Sequence, residues 1–123
     1  MNRSLKVGVA SVAKQRAWTL AIASGKRKKQ ESDPTIWFPS FSAVARVLSD
    51  ENLAILEVLK EQHPGTIEQL AAIMGKQPPN ISRSLHLMEP YGLVRLEKNG
   101  RSVTPTAQYD AVTVDVISPQ MAL

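Results

Sequence analysis

Apolar residues recur at helical spacing through the middle of the chain and predict four consecutive helices there. The first follows Ser40 and is short. The second begins after Ser49, a typical helix cap, and two acidic residues in its first turn favour the positive end of the helix dipole. It ends at His63-Pro64-Gly65. Its predicted apolar face comprises Leu53, Ile55, Leu56, Val58 and Leu59.

The third and fourth predicted helices are joined by a very short turn. Thr66 and Gln69 have the spacing of a capping box, so the third helix begins there, and Gly75 closes it. After only two intervening residues, Pro78 suits the first turn of a helix because its missing N–H needs no partner there. We expect the fourth helix to continue to about Tyr91. The inward positions are Ile67, Leu70, Ala71 and Met74 in the third helix, and Ile81, Leu85 and Met88 in the fourth.

Alternating apolar and polar residues predict β-strands on either side of this helical region. Two strand-like runs flank Asn99-Gly100, the strongest short hairpin signal, and a type I′ turn is expected there. Near the other end of the chain, Leu5, Val7 and Val9 alternate with polar or small residues, and residues 109–117 alternate in the same way. We expect these two terminal strands to pair, either within one chain or between two.

The segment before the helical region predicts a helix followed by a linker. Ser11 has the character of a helix cap, and Gly25 that of a residue just past a helix end. The helix carries a stripe of mainly small residues: Ala13, Ala17, Leu20, Ala21 and Ser24. The apolar cluster Ile36-Trp37-Phe38 is expected to pin the linker to the domain. The predicted organisation is a strand–helix dimerisation element at residues 1–25, a basic, proline-containing linker at 26–40, a main domain at 41–106 and a C-terminal strand with a tail at 107–123.

Composition limits the chemistry open to this chain. At 123 residues it has the size of one domain, and its hydrophobic fraction of 43% is that of an ordinary globular protein. It has no cysteine and only two histidines, and we find no nucleophile–base pair, glycine-rich phosphate loop or metal-ligand spacing. We therefore expect no enzymatic activity, no catalytic or metal-binding residues and no cofactor. No apolar run approaches the length of a membrane span, and we expect a cytoplasmic protein without membrane contact.

Charge is distributed unevenly along the chain. Residues 1–30 carry eight basic and no acidic side chains, whereas the rest carries seven basic and eleven acidic ones. Such a basic segment is typical of an arm that meets a polyanion, although a solvated tail and an organellar transit peptide have the same composition. Within the main domain, residues 76–101 are net positive and residues 41–75 net negative. The candidate backbone contacts of the arm are Lys26, Arg27, Lys28 and Lys29.

Two helices joined by a tight turn form a helix-turn-helix, whose second helix, the recognition helix, can lie in the major groove of DNA. The fourth predicted helix therefore carries the candidate base contacts. Opposite its apolar stripe lies a polar face formed by Pro79, Asn80, Ser82, Arg83 and His86. Arginine can bridge guanine O6 and N7, and asparagine can bridge adenine N6 and N7. Because the N-terminal part of a recognition helix penetrates deepest into the major groove, Asn80 and Arg83 are favoured for base contacts. The alternatives are that Arg83 is an ordinary surface arginine, that His86 is solvated, and that Ser82 bonds back to a helix carbonyl.

Two further sets of polar residues flank this face. Lys76 and Gln77, at the entrance of the helix, are placed for phosphates, and the N-terminal N–H groups of the helix are expected to assist. Lys98, Asn99 and Arg101 surround the tip of the predicted hairpin, where they can reach a phosphate or the minor groove. A solvated hairpin tip is the alternative.

Three segments of the main domain carry a recognisable pattern: Thr66-Ile67-Glu68-Gln69-Leu70-Ala71, Asn80-Ile81-Ser82-Arg83-Ser84-Leu85 and Glu89-Pro90-Tyr91-Gly92-Leu93-Val94-Arg95. Together they resemble the winged helix-turn-helix regulators of the MarR/ArsR type. The whole chain is also similar to small prokaryotic winged-helix proteins described as transcriptional regulators or antitoxin-like, which share the Ile36–Phe38 segment and the Leu48–Asn52 run. The resemblance implies a mainly α fold with a β-hairpin wing (α+β), extended by an N-terminal strand and helix and by a C-terminal strand.

These observations predict a sequence-specific transcriptional regulator that binds double-stranded DNA. We expect a homodimer that represses by occupying a promoter, since two-fold pairing sets two recognition helices one turn of DNA apart. The main alternative is an antitoxin-like winged-helix protein that binds a partner toxin and autoregulates its operon. RNA binding is a further alternative, but with six aromatic residues the chain shows no base-stacking platform.

Overall fold

The computed structural model describes residues 3–116, which form five α-helices and two β-sheets of a mixed α/β protein. The strands are β1 Ser4–Val9, β2 Ile36–Phe38, β3 Val94–Asn99, β4 Ser102–Ala107 and β5 Ala111–Val116. The helices are α1 Val12–Ala23, α2 Phe41–Val47, α3 Asp50–Gln62, α4 Ile67–Met74 and α5 Pro78–Met88. None of the helices in this range has the length and hydrophobicity of a membrane span. The described residues divide into a helical unit, Arg3 with residues 46–110, and a sheet unit, residues 4–45 with 111–116.

β1 is the central strand of the sheet unit. It pairs in parallel with β2 on one side and with β5 on the other, where Ser4 lies opposite Ala111 and Val9 opposite Val116. The two terminal strands therefore pair within one chain, which is one of the two arrangements predicted. Ile117, the last residue of the predicted strand, lies outside the described residues. The buried apolar side chains of β1 and β2 are Leu5, Val7, Val9 and Phe38.

The segment predicted as a linker contributes β2 to this sheet. Trp37 lies so close to Gly8 of β1 that a Cβ atom at Gly8 would approach the indole ring to 2.6 Å. The same ring meets Trp18 of α1 edge-on, with the ring centres 5.4 Å apart. The linker predicted over residues 26–40 therefore ends before Ile36, because the missing side chain of Gly8 makes room for an aromatic residue from the neighbouring strand.

α1 has the predicted boundaries, and none of its side chains is buried. Ser11 caps its first turn through a 3.3 Å hydrogen bond, and Gly25 follows its end with a φ of 80°. No residue of α1 is buried, and Leu20 of the small-residue stripe is 67% exposed. Trp18, beside the stripe, is half-buried against Trp37. The contact between the two indole rings thus sets the rotation of α1, and the stripe faces away from the unit.

Side-chain caps begin two helices of the helical unit where the sequence predicts them. Ser49 Oγ accepts a hydrogen bond from Asn52 N at 3.2 Å, and Thr66 Oγ1 accepts one from Gln69 N at 3.0 Å. Gln69 Oε1 in turn accepts from Gly65 N at 2.7 Å, one residue earlier than in a standard capping box. The starts of α3 and α4 are therefore confirmed.

The buried face of α3 is rotated relative to the prediction. Asn52, Ile55 and Leu59 are buried, whereas Leu53 is exposed. A buried hydrogen bond explains this rotation. Asn52 Nδ2 donates to the carbonyl oxygen of Val47, the last residue of α2, at 2.9 Å, and the bond keeps the Asn52 side chain in the core. The other buried apolar side chains of the helical unit are Val47, Ile67, Leu70, Ala71, Ile81, Leu85, Met88, Leu93 and Val94.

β3 and β4 form the predicted hairpin, but its turn is shifted by one residue. Asn99 pairs with Ser102, so Gly100 and Arg101 are the turn residues. Of these two, only Gly100 has a positive φ, 63°, as in a type II′ turn rather than the predicted type I′. Asn99 stays in β3 because its Nδ2 donates across the hairpin to Thr104 Oγ1 at 2.9 Å.

A buried carboxylate fixes the loop between α1 and β2. Asp33 Oδ1 lies 2.9 Å from Arg27 Nη2, and the Arg27 guanidinium lies 3.8 Å from the centre of the Trp18 ring. Asp33 Oδ2 accepts a hydrogen bond from Gln30 N at 2.8 Å. The bond from Gln30 N, together with the Arg27 charge, lowers the pKa of Asp33, although burial of the carboxyl opposes the shift.

We predict that acid weakens the fold through Asp33. A carboxyl with a lowered pKa stabilises the fold above its unfolded pKa of about 3.9, and this stabilisation is lost as the pH falls through the folded pKa. Asp33→Asn should lower the free energy of unfolding at neutral pH by about 1–3 kcal/mol, because it leaves the Arg27 guanidinium without its ionic partner. The variant should also lose less stability than the wild type below pH 4 or so.

Urea unfolding followed by circular dichroism over this pH range measures both effects. Glu31→Gln is the matched control, because Glu31 is exposed in the same loop. It should leave stability at neutral pH unchanged. Identical acid sensitivity of the wild type and Asp33→Asn would contradict the assignment of the stabilising charge to Asp33.

Candidate nucleic-acid interface

α5 has the buried and exposed faces that its sequence predicts. Ile81, Leu85 and Met88 are completely buried, at 0% exposure. The candidate side chains on the opposite side are exposed (Pro79, Asn80, Arg83 and His86) or half-buried (Ser82). The α-helix ends three residues before the predicted limit and continues as a 3-10 turn over Glu89–Tyr91. Pro90 explains the change, because it has no N–H with which to continue the α-helical bonding pattern.

The first four residues of α5 offer no free backbone N–H. Pro78 and Pro79 have no N–H, and those of Asn80 and Ile81 both donate to the carbonyl of Gln77, at 3.0 and 3.2 Å. The expectation that N-terminal N–H groups of this helix assist at a phosphate is therefore wrong, because these donors are absent or already used.

The turn between α4 and α5 exposes both of its predicted polar residues. Gly75 has a φ of 66°, and Lys76 N donates back to the carbonyl of Ala71 at 2.9 Å, which closes α4. Both Lys76 and Gln77 are exposed. Lys76 forms no ion pair with any described residue, so its charge is available to a ligand.

The structure brings Asn80 and Arg83 into contact. They are three positions apart on α5, and Arg83 Nη1 donates to Asn80 Oδ1 at 3.3 Å. The contact leaves Asn80 Nδ2 and the other guanidinium N–H groups for an outside ligand. His86 is held differently: its Nδ1 lies 2.8 Å from the carbonyl oxygen of Ser82, to which only an N–H can bond. Nε2 is therefore the ring nitrogen of His86 that is not used by this bond.

A single threonine anchors the hairpin to the turn before α4. Thr104 Oγ1 donates to the carbonyl of Gly65 at 2.7 Å and accepts from Asn99 Nδ2. The side-chain donor of Asn99 is therefore used within the hairpin. Lys98 and Arg101 are exposed, and neither forms an ion pair with any residue in 3–116. Of the three residues predicted at the hairpin tip, Lys98 and Arg101 therefore remain available to a ligand, and both are cations.

Arg46 is a candidate site residue that the sequence analysis missed. Together with Arg83, Ser84, His86 and Leu87 it lines a shallow depression of about 480 Å³ beside α5. No acidic side chain lines this depression, and Arg46 has no ion-pair partner among the described residues. Because Arg46 belongs to the acidic half of the main domain, charge along the sequence could not indicate it. Only folding brings it to α5.

The basic run of the sheet unit is only partly available to a ligand. Arg27, predicted as a backbone contact, is held by its ion pair and by the Trp18 ring. The cations of the run that remain exposed are Lys26, Lys28 and Lys29. They lie in the sheet unit, whereas the other candidate residues lie in the helical unit.

Comparison with known proteins identifies a family for most of the helical unit. No curated protein matches the chain. Residues 47–114, more than half of the 123 residues, match the HVO_A0114 family, which is a family of unknown function. The matched range runs from the last residue of α2 into β5 and includes α5 and the hairpin. The chain therefore belongs to the HVO_A0114 family.

Proposed function

We propose that the helical unit is a winged helix-turn-helix domain that binds double-stranded DNA, and that the protein is a homodimeric repressor of transcription. In this proposal α5 is the recognition helix, and the hairpin of β3 and β4 is the wing. The observation that carries the proposal is the exposed contact between Asn80 and Arg83, opposite a completely buried stripe of the same helix. The resemblance to regulators of the MarR/ArsR type supports it.

Asn80 and Arg83 supply the groups that base recognition in the major groove requires. The guanidinium fork fits guanine O6 and N7, and the carboxamide fits adenine N6 and N7. Because Arg83 donates to Asn80 Oδ1, the two side chains hold each other on the surface before any ligand arrives. The contact also couples them, because Asn80 Oδ1 has two lone pairs and can accept from Arg83 and from adenine N6 at the same time. We therefore propose that these two residues contact adjacent bases as a pair.

Four exposed cations of the helical unit are proposed as phosphate contacts. They are Arg46, Lys76, Lys98 and Arg101, and none forms an ion pair with a described residue; within 3–116 the single ion pair joins Arg27 and Asp33. Cations of this kind fix the orientation of a protein on the duplex and release counterions from the phosphates. They supply most of the affinity in this proposal, whereas Asn80 and Arg83 supply the sequence preference.

A second candidate function is an antitoxin-like protein that binds a partner toxin and regulates its own operon. One observation favours it: α1 exposes large apolar side chains, with Val12 at 54% and Leu20 at 67% exposure. Apolar side chains left exposed on a helix are common at protein–protein interfaces. This second candidate keeps the DNA contacts of the helical unit and adds a protein contact on α1.

We predict that Arg83→Ala reduces sequence preference. The variant should lose about 1–3 kcal/mol of binding free energy on duplex DNA from upstream of its own gene and much less on a scrambled duplex. Fluorescence anisotropy at several salt concentrations measures both affinities. Arg16→Ala, a change at an exposed arginine of α1, is the matched control and should bind like the wild type. Equal weakening of Arg83→Ala on both duplexes would contradict a base contact.

We predict that Arg46→Ala weakens DNA binding without changing the sequence preference. A phosphate contact carries no sequence information, so the variant should bind the upstream and scrambled duplexes more weakly by the same factor. The slope of log affinity against log salt should fall in magnitude by about 0.9, the value for one phosphate contact. An unchanged slope, or a loss confined to the upstream duplex, would argue against this role for Arg46.

The exposed lysines of the sheet unit are tested by changing Lys26, Lys28 and Lys29 to alanine together while Arg27 is kept. If they contact DNA phosphates, the salt slope of the triple variant should be smaller in magnitude by up to about 2.7. Keeping Arg27 preserves the ion pair with Asp33, so thermal unfolding should match that of the wild type. A salt slope equal to that of the wild type would show that these lysines are solvated and remain outside the interface.

A further inference from the structure

The outer edge of β5 has no partner strand in the part of the chain that the structure describes. The strand order is β2-β1-β5, so β5 bonds to β1 along one edge only, from Ala111 to Val116. Its other edge presents a row of backbone N–H and C=O groups, which is a template for another strand. Proteins either protect such an edge or use it for pairing.

The two edges of this sheet differ in their protection. β2 has only three residues and lies between Pro34 and Pro39. Short edge strands and nearby prolines hinder the addition of another strand. β5 has six residues and contains no proline, lysine or glycine. Of the two outer edges of this sheet within residues 3–116, only that of β5 is unprotected, so association through it stops at two copies and does not propagate into a fibre.

The apolar layer of the sheet ends abruptly at β5. Val7 pairs with Val114 and Val9 with Val116, so these side chains share one face of the sheet. The two valines of β1 are 1% and 5% exposed, whereas Val114 and Val116 are 38% and 40% exposed. Sheets of parallel strands are normally covered on both faces. A further strand beside β5 would bring side chains against these exposed valines.

We infer that two copies of this chain associate through β5, which pairs with β5 of the second copy in antiparallel fashion about a two-fold axis. Identical strands related by a two-fold axis perpendicular to the sheet run antiparallel, and the contact is self-complementary. The two three-stranded sheets then become one sheet of six strands. The β2 strands form the two outer edges of this six-stranded sheet, and both β5 edges are paired.

The sequence of β5 selects the register of this pairing. Directly opposed residues share a face, and at least two valines of each copy lie opposite valines of the other when the axis passes through Thr113, Val114 or Asp115. An axis at Asp115 is disfavoured because it places the two carboxylates directly opposite each other, which leaves the registers with the axis at Thr113 or at Val114. With the axis at Val114, Val112 lies opposite Val116 of the second copy, and Thr113 lies opposite Asp115. Neither register places Asp115 opposite its own copy, so the one charge of the strand meets no like charge.

This inference deepens the proposed function and rests on it for its biological role, because a two-fold dimer presents two recognition helices to a palindromic site. The pairing itself is measured without DNA. A wild-type dimer that binds no duplex would leave the interface intact and remove the proposed function. A monomeric wild type that binds duplex DNA would overturn the interface and leave DNA binding by the helical unit intact.

Sedimentation equilibrium of the full chain tests the interface. Val114→Lys places two like charges at or next to the two-fold axis and should raise the dimer dissociation constant roughly tenfold or more. Leu20→Lys, a change at an exposed apolar residue of α1, is the matched control and should dimerise like the wild type. A monomeric wild type, or a Val114→Lys variant that dimerises as strongly as the wild type, would overturn the inference. If only Leu20→Lys lost the dimer, the interface would lie on α1 and the inference would be overturned.

A second measurement decides the matter if Val114→Lys fails to fold. The chain has no cysteine, so a single introduced cysteine can form a disulfide only between two copies. Opposed residues of an antiparallel pair lie within disulfide distance. Thr113→Cys or Val114→Cys should therefore give a covalent dimer under mild oxidation, whereas Leu20→Cys should stay monomeric on a denaturing gel. Cross-linking of Leu20→Cys with none at either β5 position would overturn the inference.

Discussion

Complete burial of Ile81, Leu85 and Met88 is the constraint on which the helical unit depends. Each side chain contributes about 1.5–3 kcal/mol by leaving water, so rotating α5 about its axis would cost several kcal/mol. Both α4 before this helix and β3 after it contact α5. The turn, the polar face and the hairpin therefore keep fixed positions relative to one another. The buried stripe thus fixes the position of the exposed face of α5, and the polar side chains of that face are not needed for packing.

Much of the helical unit follows from short-range rules that a sequence displays directly. Ser49 and Thr66 cap helices through bonds to residues three positions away, and the stripe of α5 requires only helical spacing. The prediction of Asn80 and Arg83 on one exposed face has the same origin. The hairpin was predicted correctly, but its turn lies one residue later than predicted. The reason is that the Asn99 side chain bonds to Thr104 instead of entering the turn.

The features that sequence reasoning missed depend on residues far apart in the chain. Trp37 is part of a strand because Gly8, twenty-nine positions earlier, leaves space for its ring. Arg27 belongs to a basic run, yet Asp33 and Trp18 hold it in place. Arg46 joins the surface beside α5 across a separation of about 40 positions. In each case the local composition suggested a different role, and a tertiary contact decided the outcome.

The pairing of Ser4 with Ala111 has a consequence for the order of folding. Synthesis proceeds from the N-terminus, so every residue of 46–110 leaves the ribosome before β5 does. During that time β1 lacks one of its two neighbours, and closure of the sheet awaits a contact across more than a hundred residues. The helical unit is built mainly from contacts between neighbouring elements, so it can form before the sheet is complete. In the proposed dimer, the strand that closes the sheet of one copy is also the strand that joins the two copies, so completion of the sheet precedes the pairing of the chains.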